Sequence, residues 1–171
     1  MSNYKRIYLS DHIYFFTVVT HNRCNLFSDD KNVQLLKAAF RYVQSRKYFK
    51  IEAICILPDH LHCMWSMPED GNYSKRWQMI KTNFSRQYRY ENPGYIQKKL
   101  WQPRFWEHVI RDQDDWQRHL DYIHYNPVKH GLVTSAEEWK YSSFRKFCKH
   151  GFYDDGWGEA EPDTVIGMFC E

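Results

Sequence analysis

Along this chain the spacing of apolar positions switches between every second residue and every third or fourth, and these switches predict its elements. Segment 12–20 (HIYFFTVVT) is rich in aromatic and β-branched residues and predicts a buried strand. Across 30–47, Val33, Leu36, Phe40 and Val43 fall at helical spacing, with Asp29 or Asp30 available as N-cap. Segment 51–57 (IEAICIL) predicts a second strand. Pro58-Asp59 makes a tight turn, and a third strand over 60–67 completes a hairpin. Tyr73, Trp77, Ile80, Phe84 and Tyr88 share one face of a helix over 73–90, ended by Asn92-Pro93-Gly94. Segment 104–111 (RFWEHVIR) alternates as a fourth strand. Asp112 or Asp114 then caps a helix running to about Tyr125, stopped by Asn126-Pro127 and the later Gly131.

The resulting order, β-α-β-β-α-β-α plus an extension, has the split βαβ pattern in its first six elements. It predicts a ferredoxin-like α+β fold with an antiparallel four- to five-stranded sheet and helices. One domain is expected over 1–150, with an acidic tail over 151–171. The tail is expected to be loose, although Trp157, Ile166 and Phe169 could dock on the body.

At 171 residues the chain can bury a substantial core. It has no run of about 18 apolar residues and no apolar signal region at its start, which predicts a soluble, non-secreted, cytoplasmic protein. Five cysteines without a CxxC pair indicate neither a zinc knuckle nor a disulfide framework. The net charge of +3 hides an asymmetry, because from Asp154 onward there are six acidic residues and no Lys or Arg. The body therefore holds all 24 basic residues against 15 acidic ones, a net +9, which suits a polyanionic partner such as a phosphate backbone.

The candidate chemistry lies at His60 and His62 and at Tyr122 and Asn126. Side chains repeat every two residues in a strand, so both imidazoles point to one face and can share a metal ion. Neutral imidazoles on a buried strand need partners, and a metal or a backbone carbonyl would serve. In a helix, residues four apart are neighbours, so Tyr122 lies beside Asn126, with His119 on the same flank. A tyrosine there can also be an amphipathic anchor, and Asn-Pro an ordinary helix end.

Five stretches in order make the chain similar to the transposases of the HUH, single-tyrosine superfamily, and within it to the REP-associated tyrosine transposases. They are FFTVVTHNR at 15–23, ILPDHLHCMW at 56–65, WQPRFWEHVIR at 101–111, DYIHYNPVKHGLV at 121–133 and WKYSSFR at 139–145. The resemblance implies that His60, His62 and Asn126 hold Mg²⁺ or Mn²⁺ and that Tyr122 is the nucleophile. The mobile relatives usually carry the longer Gln at the position of Asn126. Imidazole ligands by themselves favour zinc, copper or nickel. His119 or Lys81 could support the tyrosine by stabilising its phenolate or taking its proton.

The implied reaction is cleavage and rejoining of single-stranded DNA through a 5′-phosphotyrosine, with hairpin DNA of REP type as partner and the bacterial nucleoid as the setting. A monomer is expected, with a dimer as the alternative. Lys75, Arg76, Lys81, Arg86 and Arg89 on one helix face, followed by Lys98, Lys99 and Arg104, are the expected DNA contacts. Met64 stands where a histidine-triad hydrolase needs a third histidine, and no second His-x-Thr/Ser pair supports a two-histidine phosphodiesterase. The remaining rival is a hairpin-binding protein on the same fold with little or no cleavage. Six acidic charges in the tail could also compete with phosphate for the basic body.

Overall fold

The structure, a computed structural model, describes residues 6, 8–96 and 99–170. Its sheet is built from β1 (Ile13–Val19), β2 (Lys50–Ile56), β3 (His60–Ser66) and β4 (Trp106–Val109), in the order β2-β3-β1-β4 and antiparallel throughout. The helices are α1 (Asp30–Gln44), α2 (Tyr73–Glu91), α3 (Gln113–Lys129) and the short α4 (Phe144–Lys149). This is the expected ferredoxin-like α+β arrangement. Among the described residues, no helix is long and apolar enough to cross a membrane.

Strand alternation sorts the residues of β1 and β3 into two layers. Tyr14, Phe16 and Val18 join Leu61, Cys63 and Trp65 beneath α1 and α2. Trp65 and Trp77 stack there at 4.3 Å, with Phe49 4.2 Å from Trp65. Phe15 and Met64 face the opposite layer, with Leu120, Tyr122 and Ile123 of α3. His60 and His62 have the parity of Met64, so the same alternation that fills the first core directs both imidazoles toward α3.

Two boundaries differ from the sequence expectation. Pro127 does not stop α3, which continues to Lys129 before Gly131 turns away at φ +65°. In the last turn a proline forfeits one backbone donor, while His130 N–H still reaches the Asn126 carbonyl and Leu132 N–H the Pro127 carbonyl. Asn126 therefore sits inside the helix, one turn after Tyr122. The fourth strand is also shorter than 104–111, because it pairs with β1 only across Tyr14–Thr17.

The segment after Gly151, expected to be loose, packs on α3. Tyr153, Val165 and Cys170 are buried and Trp157 stacks on Phe144 and Tyr153, whereas Ile166 and Phe169 stay exposed. Polar groups fix this packing. Tyr153 Oη donates to Asp121 Oδ1 at 3.0 Å, and Thr164 Oγ1 donates to Asp121 Oδ2 at 2.7 Å. With its own proton committed, Tyr153 accepts from His124 Nδ1 at 2.8 Å, and His124 Nε2 accepts from Ser143 Oγ at 2.8 Å. Burial holds His124 neutral, with its pKa lowered to about 3. Arg118 Nε adds a bond to the Thr164 carbonyl. Ser143 in turn lies beside β2: Ile56 N–H donates to the Tyr141 carbonyl, Ser143 N–H to the Ile54 carbonyl and Ile54 N–H to Ser143 Oγ.

Asp121→Ala leaves the buried Tyr153 hydroxyl and the half-buried Thr164 hydroxyl without their acceptor. It is expected to lower stability by about 1–3 kcal/mol in urea unfolding. Amide exchange should rise over 153–170 more than in β1 or β3, and uniform exchange would refute the anchoring role.

Candidate active site

Most buried polar side chains of α3 have partners close by. Asp115 accepts from Arg111, Asp121 from Gln117 and Tyr153, and His124 lies between Tyr153 and Ser143. Asn126 is the exception: its amide is fully buried, and neither its oxygen nor its nitrogen has a hydrogen-bond partner. The other unpartnered buried side-chain atoms among the described residues are His60 Nε2, His62 Nε2 and three tryptophan indoles of the aromatic core. Such atoms normally mark a missing ligand or water, because leaving them dry costs ~1–3 kcal/mol each.

The two imidazoles are oriented from behind. Asp59 Oδ1 lies 2.5 Å from His60 Nδ1, and Arg23 lies 3.0 Å from the other carboxylate oxygen. Burial alone would raise the Asp59 pKa, but the bonds from His60 and Arg23 outweigh it and hold the group at about 2. This carboxylate keeps the proton on Nδ1 and the lone pair on Nε2. At His62, Nδ1 meets Thr17 Oγ1 at 2.8 Å, while the Thr17 hydroxyl donates to the Cys170 carbonyl. The hydroxyl has one proton, so His62 must donate through Nδ1 and leave its Nε2 lone pair bare as well. Burial, reinforced by the charges of His60, His130 and Lys129, pushes the His62 pKa well down. The Asn126 side chain, close to the His62 ring, opposes this. Two desolvated imidazole nitrogens and one buried amide form a donor set that fits a divalent cation.

Tyr122 completes the group. Its ring lies 5.2 Å from that of His62, the two histidine rings are 4.8 Å apart, and His130 sits 5.1 Å from His60. Lys129 Nζ donates to Tyr122 Oη at 3.3 Å and to the Met168 carbonyl at 3.4 Å. Tyr122 is only 1% exposed, and the chain end is bonded to two of its neighbours, through the Cys170 carbonyl at Thr17 and the Met168 carbonyl at Lys129.

Residues 8–126 match the family described as "Transposase IS200 like". The chain belongs to this family. Within it the chain is a REP-associated tyrosine transposase by similarity along nearly its whole length. A putative REP-associated tyrosine transposase of Haemophilus influenzae is 41% identical over 97% of this chain and 98% of its own. The REP-associated tyrosine transposase of Escherichia coli is 39% identical over 98% and 97%. A solved REP-associated tyrosine transposase bound to a REP hairpin superposes with a TM-score of 0.82, at 38% identity and with 96% of each chain covered. A putative transposase from Deinococcus radiodurans, at 18% identity and TM-score 0.51, shares the fold over 67% of this chain and 91% of its own.

In this transposase the expected residues part company. His60, His62, Tyr122 and Asn126 come together. His119 does not join them; its Nδ1 turns to the Asp115 carbonyl and carboxylate, and its ring packs on Phe15 and His108. His108, Asp115 and His119 form a separate group whose potential ligand atoms lie within 4.8 Å of one another. Lys81 belongs to α2, across the sheet from Tyr122. There Nζ donates to the Gln102 carbonyl between the Trp101 and Phe105 rings, and burial lowers its pKa to about 8. It is therefore no support for the tyrosine. Arg76 is not a surface cation either: it is 2% exposed, and its guanidinium donates to the Lys47, Tyr48 and Asn72 carbonyls and to Asp70. Lys75, Arg86, Arg89, Lys99 and Arg104 are exposed, and Lys98 lies outside the described residues.

The sequence reading missed Asp59, Thr17, Lys129 and His130. Thr17 and His130 reach β3 through tertiary approaches that no single-element pattern reveals, but Asp59 adjoins His60 and Lys129 lies seven residues, two helical turns, beyond Tyr122.

Arg76→Met removes a buried cation that closes the α1–β2 connection onto α2. It should cost roughly 3 kcal/mol in chemical unfolding, while Arg86→Ala should stay within about 0.5 kcal/mol. Equal effects would contradict the structural role of Arg76.

Proposed function

We propose that this chain binds hairpin-forming single-stranded DNA and cuts it through Tyr122, with His60, His62 and Asn126 holding Mg²⁺ or Mn²⁺. The observation that carries the reading is the convergence of otherwise unexplained, unpartnered buried donor atoms beside a tyrosine hydroxyl. Similarity to the structure with a bound REP hairpin supports the nucleic-acid class. A cation bound there supplies Lewis-acid polarisation of a phosphate oxygen.

The chain's own groups do the rest. Lys129 hydrogen-bonds Tyr122 Oη and stabilises the phenolate, a needed service for a group with an ordinary pKa near ~10. The Tyr122 oxygen forms a bond to phosphorus as the bond to the 3′ oxygen breaks. The phenolic proton is lost and the 3′ oxygen gains one, leaving a 5′-phosphotyrosine and a 3′-hydroxyl. The exchange conserves phosphodiester energy, so rejoining by the reverse step needs no nucleotide. Asp59 keeps the His60 Nε2 lone pair available, and Thr17 holds the His62 ring through Nδ1. Exposed Lys75, Arg86, Arg89, Lys99 and Arg104 are the cations available for backbone phosphate.

Tyr122 is buried, and the Cys170 and Met168 carbonyls are bonded at Thr17 and Lys129 on either side of its group. We read the 151–171 segment as an acidic cover that must lift before cleavage. The same cover is what a hairpin binder without cleavage would carry, so truncation separates the two readings. Deleting residues 166–171 while keeping buried Val165 should raise covalent adduct at least several-fold. Unchanged trace levels would favour the non-cleaving binder.

The nucleophile is tested by denaturing gel electrophoresis after incubation with end-labelled hairpin DNA and Mn²⁺ or Mg²⁺. A slow-migrating adduct should disappear with Tyr122→Phe, persist with Tyr125→Phe and fall at least 100-fold with His62→Ala. An adduct that survives Tyr122→Phe would sink the assignment.

A further inference from the structure

Beside the catalytic group lies a column of rings that the reaction does not use. Trp106, on the edge strand β4, is 39% exposed even with residues 168–170 docked. Its indole is nearly parallel to His108, at 6° and 5.9 Å, and His108 stacks in turn on His119 at 14° and 4.6 Å. Phe15 meets Trp106 edge-on at 5.5 Å and also contacts His62 at 5.7 Å and Tyr122 at 6.1 Å. The register sets Trp106 directly across from Thr17, the residue that holds His62, and His108 across from Phe15. Directly opposed residues project from the same face of a sheet. Trp106 therefore stands about one strand spacing, ~5 Å, from the residue behind His62, on the face of Tyr122.

The column is rigid at its base. The Asp115 carboxylate takes His108 Nε2 at 2.8 Å, His119 Nδ1 at 3.1 Å, and the Arg111 amide and Nε at 3.0 and 3.2 Å. These three residues have the chemistry of a metal site but not its geometry. An imidazole lone pair lies in the ring plane, and two rings stacked face to face would offer a shared ion their π faces instead. Asp115 fits better as the clamp that holds two imidazoles beneath an exposed indole.

Resting on the nuclease reading above, we propose that Trp106 is a stacking platform for one unpaired nucleobase of the strand passing Tyr122, next to the phosphate to be cut. Arg104 and Arg111, exposed on either side of β4, supply cations for the phosphates flanking that base. The ligand is a nucleotide in the single-stranded extension, not the paired stem. Recognition by stacking tolerates any base but requires that one be present.

The test measures binding of the full chain by fluorescence anisotropy. One probe is a bare DNA hairpin; the others carry single-stranded extensions, intact or with an abasic site at each position in turn. Trp106→Ala should weaken the extended hairpin about tenfold, leave the bare hairpin unchanged, and be largely rescued by Trp106→Phe. One abasic position should weaken wild type equally and add nothing to Trp106→Ala. Equal loss on both probes, full effect at every abasic position, or no gain from the extension in wild type would overturn the proposal. A circular dichroism melt of Trp106→Ala matching wild type excludes misfolding, and Trp106→Leu, apolar but without a π face, carries the test should Ala fail to fold. Because binding needs no cleavage, a Trp106-dependent extension effect without adduct would sink only the nuclease reading. An adduct without Trp106 dependence would sink only the platform.

Discussion

A helix as polar as α3 can lie against a sheet only if each buried donor and acceptor finds a partner. That condition organises one whole side of the molecule. Asp115 binds β4 to the helix through His108, Asp121 draws in Tyr153 and Thr164, and His124 reaches Ser143. Each of these bonds fixes a different piece of chain against α3. Among the described residues, the side-chain atoms left unsatisfied outside the aromatic core then stand out by contrast: His60 Nε2, His62 Nε2 and the Asn126 amide, near Tyr122. The opposite side of the sheet is held mainly by apolar packing. There the aromatic cluster around Trp65 and Trp77 is supplemented by fewer polar pairs, among them buried Arg76 at the Tyr48 carbonyl, half-buried Lys81 at the Gln102 carbonyl and Tyr73 at Glu107.

The sheet also separates duties. Its first layer carries α2, whose outer surface shows Lys75, Arg86 and Arg89. Its second layer holds the histidines, the tyrosine and the Trp106 column. A DNA molecule that touched both would have to pass around an edge of the sheet, and β4, joined to α2 through the stretch holding Lys99 and Arg104, is the edge nearest that stretch. Charge and chemistry are thus positioned by different helices on a common frame.

The strands and the first two helices were legible because their apolar periods are uninterrupted. The His60/His62 pair was legible because strand parity alone decides its face. Tyr122 and Asn126 were legible as neighbours, but the extent of α3 was not, since the cost of Pro127 depends on which bonds the following residues recover. Arg76 and Lys81 looked like members of a charged surface. Their long side chains reach carbonyls at Tyr48 and Gln102, contacts set by tertiary approach rather than spacing. The tail had no period to read, and its docking depends on single residues such as Tyr153, Val165 and Cys170 meeting partners far away in sequence.

The bonds between β2 and residues 141–143 also bear on assembly. Along its 54–56 half, the outer rim of β2 already gives its backbone groups to Tyr141 and Ser143. Its other half carries a register shift near Ala53 and the charged pair Lys50–Glu52. Bulge, charge and cover are the devices that keep an exposed strand from recruiting another. Among the described residues this leaves the four-residue β4 as the rim where an extended segment, from a second copy or a foreign peptide, could lengthen the sheet. That rim borders the Tyr122 face, so any such addition would crowd the candidate site instead of forming a remote interface.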